Sequence, residues 1–352
     1  MTSPSSAPVA TSAARYRRGF SPYLWVWIGV ALLLGLMLIV TPNQASFGAL
    51  GNTLPYVGLL ALVSVGQALV VMQRGIDFSI VGALILSGMV SGVLSTSGLP
   101  IWVAVLGTMA AGLFIGLVNG VVVVFLRLTP LVATLASNLL YLGLAIMVGQ
   151  GAPVHTSSAM IEFARSKPLA ISAILIVAII VVAALVVFVN RTVLGGRFIA
   201  SGSNPLSARA AGIPVNGYVL SAYCLAGLLY GVAGMLLTGH IGDARMTMGG
   251  DYLMASIAAV VVGGTPLTGG RGSLIATVGG AVFMTLLTQF VLALGSPSSV
   301  QLLVQSIVLI AAITLPSLVA LLRKRRKTRA AAAAPPPAPP STLAVAATGG
   351  AA

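Results

Sequence analysis

Charge is what this sequence has least of. Only 6% of its 352 residues are Asp, Glu, Lys or Arg, where a soluble globular domain carries about a quarter. It has four acidic residues, two histidines and one cysteine. A single cysteine, Cys224, excludes an intrachain disulfide framework, and too few Cys and His remain for a metal cluster. His155 and His240 stand far apart in the chain. There is no Ser-His-Asp set, no His-Glu-x-x-His and no pair of carboxylates inside an apolar run, so nothing supports catalysis. The run G-x-x-x-x-G-K-[ST] is missing as well, so the chain lacks the loop and lysine with which ATPases hold phosphate.

What is there is apolar. Hydrophobic residues make up 58% of the chain and its mean hydropathy is +1.08, which predicts an all-α polytopic membrane protein. Runs long enough for a hydrocarbon core of about 30 Å fall at 23–40, 50–72, 79–95, 101–122, 131–149, 169–190, 217–238, 252–265, 273–293 and 300–321, about ten in all. The runs 79–95 and 252–265 are short and interrupted by glycine, a pattern tolerated where a helix packs on protein or lines a cavity. The first run follows Arg15, Arg17 and Arg18, as a signal peptide would. It exceeds the usual apolar core of such a peptide and no small-residue cleavage site follows, so an uncleaved helix is expected. The domain reading is a polar segment 1–20, a membrane domain 21–322, and a basic then Ala/Pro-rich tail 323–352 too poor in apolar residues for a core and expected to be disordered.

The sparse cations are unevenly placed. With ten spans and the N-terminus inside, inner segments hold fifteen Lys and Arg and outer segments only Arg165, Lys167 and Arg245. The positive-inside rule then sets both termini in the cytoplasm of a bacterial cell membrane. The net charge of +14 reads as an interaction with anionic lipid, with no nucleic-acid partner. Spans two to five and seven to ten make two sets of four, running in opposite directions. Inverted repeats of that kind often enclose a transport path.

Four motifs stand out. Asn204, Pro205 and Gly212 punctuate a two-turn helix in a polar gap on the inner side: a cap, a first-turn proline and a left-handed closing residue. Its body is small, with Leu206 and Arg209 projecting from Ser207, Ala208, Ala210 and Ala211. Alone it is too short to be stable. It is either a plug for a groove on a soluble partner or an interfacial loop helix. The stretch 263–273, with Gly263, Gly264 and Thr265 at its start, has the glycines of a phosphate loop but no lysine, and reads as a tight inner turn with close backbone approach. Asp77 is the one inner carboxylate; capping near Ser79, pairing with Arg74, or contact with a solute would each account for it. Asn119, Asn138, Gln67, Gln289, Gln301 and Gln305 lie inside spans, either joining helices or lining a path.

These stretches resemble the permease subunit of ribose-type ABC sugar importers. The likeness covers about residues 50–320. It rests on Gly75-Ile76-Asp77-Phe78-Ser79; on Arg127-Leu128-Thr129-Pro130 with Ala133-Thr134-Leu135 and Tyr141; on Gly202 to Ile213; and on Ala259 to Thr265 running on to Gly269-Gly270-Arg271-Gly272-Ser273. The chain departs from the family at Arg74, where glycine is usual, and at Pro205 and Leu206, where acidic residues are frequent. The resemblance implies a permease dimer, a cytoplasmic ATPase that uses the ATP, and an extracytoplasmic sugar-binding protein, with no cofactor on this chain. It also implies that Gly202, Asn204, Pro205, Ala208, Arg209, Ala211, Gly212 and Ile213 form the coupling helix. Asp77, Ser79, Asn119, Asn138, Gly263, Gly264, Thr265 and Gln289 are then candidates for the path or its gate.

The function expected is a pore subunit that admits a monosaccharide. A sister permease for nucleosides or another small polar solute is the near alternative. An ion-coupled transporter is the alternative of another class, and it generally needs ionisable groups within its spans, which are almost lacking here. The charge count makes a prediction of its own. In a chain with Cys224→Ala, cysteines introduced as Ser157→Cys and Thr247→Cys should react with an impermeant maleimide on intact cells, and Ser203→Cys should not. External labelling at 203 would overturn the topology.

Overall fold

A computed structural model describes residues 24–297, 299–314 and 318. The expectations for 1–20, for the tail 323–352 and for the end of the tenth run lie outside the described residues. Every expected run coincides with a helix: α1 (Leu24–Val40), α2 (Phe47–Met72), α3 (Ile80–Thr96), α4 (Ile101–Val124) and α5 (Pro130–Gly149). After α6 (Ser158–Arg165) come α7 (Ala173–Arg191), α8 (Val193–Ser203), α9 (Pro205–Ala210), α10 (Val215–Ile241), α11 (Gly250–Val262), α12 (Leu274–Ala293) and α13 (Ser299–Thr314). The chain divides into two units, Met1–Leu309 and Ile310–Ala352, and all helices except the end of α13 belong to the first. Six helices (α2, α4, α5, α7, α10 and α12) are long and apolar enough to cross a membrane, while α1, α3, α11 and α13 are apolar but shorter. The chain is an all-α polytopic membrane protein.

Two helices escaped the sequence reading. Helix α6 has eight residues, too few for a hydropathy window, and starts where Ser157 Oγ accepts from the Met160 N–H at 3.4 Å. Helix α8 passes for a loop because Gly195, Gly196 and Gly202 dilute its pattern. Thr192 caps it, accepting from the Gly195 N–H at 3.0 Å. The strands β1 (Val154–His155) and β2 (Asp243–Ala244) pair antiparallel beside the ends of α3 and α10.

The core forms around α2 and α10. Every residue of α2 from Val57 to Met72 is buried, as is every residue of α10 from Leu229 to Gly239. A helix apolar all round has no face to give to solvent and must be enclosed. Helices α7, α11 and α12 enclose α2, and α3, α4 and α6 enclose α10.

In a bilayer, helices gain little by leaving lipid for one another, so association depends on backbone approach and dispersion. Helix α4 supplies that approach with Gly112, Gly116 and Gly120, spaced one turn apart against α10. A Cβ at Gly116 would stand 2.2 Å from the Tyr223 carbonyl oxygen, and one at Gly227 would stand 2.3 Å from that of Gly112. The two backbones touch through these residues, so neither helix can yield without losing the contact.

Gly116→Ala should therefore cost about 2 kcal/mol or more by overpacking and lower the melting temperature in detergent. Gly143→Ala, where a Cβ meets nothing within 4 Å, should be neutral or stabilising by about 0.5–1 kcal/mol. Equal melting temperatures for the two variants would refute the close-approach account.

Candidate functional site: a polar cavity and a locked helix junction

At the end of the bundle where α2 begins, six helix ends enclose a cavity of about 1170 Å³. Its wall takes Asn52, Thr53 and Tyr56 from α2, Arg165 from α6, His240 from α10, Asp251 and Tyr252 from α11, Thr285, Thr288 and Gln289 from α12, and Gln301 and Gln305 from α13. Carboxamides and hydroxyls are spread among apolar side chains. Buried wall atoms without a hydrogen-bond partner include Ser172 Oγ, Thr285 Oγ1 and Gln305 Oε1. Their residues are only 2%, 5% and 2% exposed. An unpaired buried polar group costs about 1–3 kcal/mol, and these atoms lie covered behind the wall surface, so a solute hydroxyl pairs with them only when their side chains turn into the cavity. Gln305 is already held in place, its Nε2 donating to Thr288 Oγ1 at 3.1 Å. The Tyr56 ring meets His240 edge to face at 5.3 Å.

Cations at the rim are tied to the frame. Arg165 donates from Nε to the His240 carbonyl and from Nη2 to that of Ile241, both at 2.9 Å, closing the end of α10. Lys167 Nζ donates to Asn52 Oδ1 at 3.0 Å. Arg245 makes two bonds to Asp243, at 2.7 and 2.6 Å. Those bonds hold the Asp243 carboxyl below its usual range against some desolvation. The pair therefore adds stability above the unfolded carboxylate value near 3.9 and loses it as pH falls below that. On an exposed pair the contribution is small.

The polar residues of the α2–α3 corner lie elsewhere. Asp77, Ser79, Asn119 and Asn138 are absent from the cavity wall and bond to one another or to backbone. Asp77 Oδ1 accepts from the Ser79 N–H at 2.8 Å and the Ser79 hydroxyl at 2.6 Å. The Ser79 hydroxyl accepts from Asn119 Nδ2 at 2.7 Å, and Tyr141 Oη donates to Asn119 Oδ1 at 3.0 Å. Asn138 Oδ1 accepts from the Gly82 N–H in the first turn of α3, at 2.8 Å. Thr134 Oγ1 accepts from the Phe78 N–H at 2.9 Å. The corner is thus pinned to α4 and α5. Of the uses open to Asp77, this geometry matches a turn that starts α3. The pairing with Arg74 does not form: among the described residues the one salt bridge is Arg245–Asp243. Gln289 alone, of the path candidates, lines the cavity.

At the opposite end, three segments converge. Gly264, at φ +82°, closes α11, and Thr265 N–H bonds back to the Val260 carbonyl at 3.1 Å. Gly263 lies against α12, where a Cβ would stand 2.6 Å from the Ala276 carbonyl oxygen. The same loop brings Gly270 N–H to the Met72 carbonyl at 3.0 Å, and Ser203 Oγ donates to the Gly270 carbonyl at 2.5 Å. Gln73 Nε2 donates to the Phe198 carbonyl at 2.7 Å, and Arg74 donates to the carbonyls of Gly202 and Ser203 at 2.7 and 2.5 Å. Gly202 packs directly on the end of α2.

Helix α9 leaves this junction. Asn204 Oδ1 accepts from the Ser207 N–H at 3.2 Å, Pro205 is its first residue, Gly212 sits at φ +75° and Ile213 N–H bonds to the Ala208 carbonyl at 2.9 Å. Leu206, Arg209 and Ala211 are exposed, while Ala208 is buried. No motif marked Gln73 and Arg74 as the residues that hold this helix pair, because carbonyl acceptors carry no residue signature. Asn52, Thr53 and Tyr56 were missed for a related reason: a pathway wall made by six helix ends has no spacing in one helix.

Apolar membrane-length helices around a cavity of mixed polar and apolar lining match the build of a membrane permease. The chain belongs to the family described as branched-chain amino acid transport system / permease component, whose model matches residues 49–313. It is similar to the ribose import permease protein RbsC of Escherichia coli (strain K12), 32% identical over 291 residues, covering 81% of this chain and 91% of that protein. It is also 32% identical to RbsC of Bacillus subtilis (strain 168) over 301 residues, 84% and 93% of the two chains. The galactose/methyl galactoside import permease protein MglC of Haemophilus influenzae is 28% identical over 314 residues, 83% and 93% of the two. No solved structure matches. The likeness read from the four stretches of sequence is thereby shown.

Proposed function

We propose that this chain is the membrane subunit of an ATP-binding-cassette importer and forms the inward path for a monosaccharide. The observation that carries the reading is the cavity, whose wall sets carboxamides and hydroxyls, Asn52, Thr288 and Gln289 among them, beside Tyr56 and Tyr252. A sugar offers hydroxyls that both donate and accept, and apolar ring faces for Tyr56 and Tyr252. A branched aliphatic side chain would offer those groups no hydrogen bond. Similarity to permeases named for ribose and for galactose supports this substrate class.

Orientation follows from charge. Among the described residues six arginines lie in segments at the α9 end (Arg74, Arg127, Arg191, Arg197, Arg209 and Arg271), and three cations lie at the cavity end. On the positive-inside rule α9 faces the cytoplasm and the cavity faces out, with all ten apolar helices crossing the membrane. The cavity mouth then receives sugar from an extracytoplasmic binding protein, and α9 docks on a cytoplasmic ATPase with Leu206, 77% exposed, as its projecting group. A second copy of the permease completes the assembly. This chain holds no nucleotide and takes its drive from the partner. A neutral solute gains nothing from the membrane potential, so ATP acts only if the ATPase binds the two permease states with different affinity.

Reconstitution in liposomes tests this. The chain alone, under an imposed sodium or proton gradient, should accumulate no sugar, and adding the ATPase, ATP and binding protein should start uptake. Accumulation by the chain alone would make it a secondary transporter. In the complete system Thr285→Val with Gln305→Leu should raise the sugar concentration for half-maximal uptake roughly tenfold, the equivalent of one hydrogen bond or more. Uptake of a branched-chain amino acid in place of sugar would overturn the substrate class. Leu206→Asp should abolish co-purification of the ATPase without changing the permease's melting temperature. Retention of the ATPase would count against α9 as the docking element.

A further inference from the structure

We infer that Arg74 is a positioning residue that passes movement of α9 to α2 and so to the cavity wall. This rests on the reading of α9 as the helix the ATPase engages. A helix of six residues cannot act at a distance. What lies behind it decides where its displacement goes. Behind it lies the last turn of α8, whose free carbonyls are held by the residues that follow α2. The Gln73 side chain takes Phe198 O and accepts from Ser201 Oγ at 2.9 Å. Arg74 takes Gly202 O and Ser203 O, the two carbonyls directly before the Asn204 cap.

The rest of the guanidinium's setting has no competing use. Arg74 forms no salt bridge among the described residues, so its charge lies on carbonyls at a helix C-terminus, where a cation is favoured. Its backbone sits at φ +66°, a region a side chain enters at a cost and glycine enters freely. Gly269, at φ +78°, lies against it from the glycine-rich loop. The chain thus keeps an arginine where the backbone alone favours glycine, and what the arginine adds is the pair of bonds to Gly202 and Ser203.

Helix α2 carries the movement onward. It is enclosed from Val57 to Met72, and interiors packed that closely shift as units. From Gln73 to Thr53 is about 30 Å along the helix axis, and Thr53 and Tyr56 face the cavity. The enclosed stretch Val57–Met72 thus joins the α9 junction to the turn around Pro55 that carries Thr53 and Tyr56 into the cavity wall.

The test uses the complete importer in liposomes and reads sugar moved per ATP hydrolysed. Arg74→Gly relieves the backbone and removes both bonds. It should keep its melting temperature and its co-purifying ATPase, hydrolyse ATP, and move roughly five- to tenfold less sugar per ATP, within the usual range of a coupling between sites. Arg74→Lys, which keeps the charge and can hold one carbonyl, should recover part of that ratio. A wild-type ratio in Arg74→Gly would overturn the proposal. So would a melting temperature that falls together with uptake in both variants, since Arg74 would then be a structural staple only. Failure of the α9 reading itself would show separately, as undiminished ATPase capture by Leu206→Asp.

Discussion

The structure depends on the complete enclosure of α2. A helix buried on every side has given up all of its surface to neighbours, so its position is set jointly by α7, α11, α12 and α10. That enclosure is possible only because its neighbours approach closely. Gly58 stands 3.0 Å, in Cβ terms, from the backbone of Leu175, and Gly66 is covered by Tyr230. Small residues supply in lipid what the hydrophobic effect supplies in water: a reason for helices to prefer each other.

With its flanks given to packing, α2 acts through its ends. The first turns contribute Asn52, Thr53 and Tyr56 to a wall that remains polar and partly unpaired. Past its other end the backbone turns left-handed at Arg74 and grips α8. The polar groups of the α2–α3 corner are treated differently. The chain from Asp77 through Ser79 and Asn119 to Tyr141 closes on itself in hydrogen bonds, as groups in a low-dielectric interior must.

Much of this was legible before any coordinates. The apolar runs marked every long helix, and the punctuation Asn204, Pro205, Gly212 marked α9, because caps and left-handed residues act over one turn and leave their trace in one stretch of sequence. Helix α8 was hidden by its glycines and α6 by its brevity. That Ala208 is the buried side of α9 was not legible, because which side of a two-turn helix faces inward depends on α10 and α8. Asp77 and Gln305 look alike as intramembrane polar residues, and only the neighbours brought by α4, α5 and α12 separate a bonded group from a free one.

The sequence by itself determined that this is an all-α polytopic membrane protein, where its long helices lie and which segments carry the cations. Hydropathy, helix capping and charge are local properties, summed along the chain. The tertiary structure decided that Asn119 and Asn138 bind helices together, that six helix ends meet around one cavity, and that α2 joins this cavity to α9 through Gln73 and Arg74. Those outcomes depend on contacts between residues 40 to 129 positions apart, and in the bonds of Gln73 and Arg74 the acceptor is a backbone carbonyl, which every residue possesses.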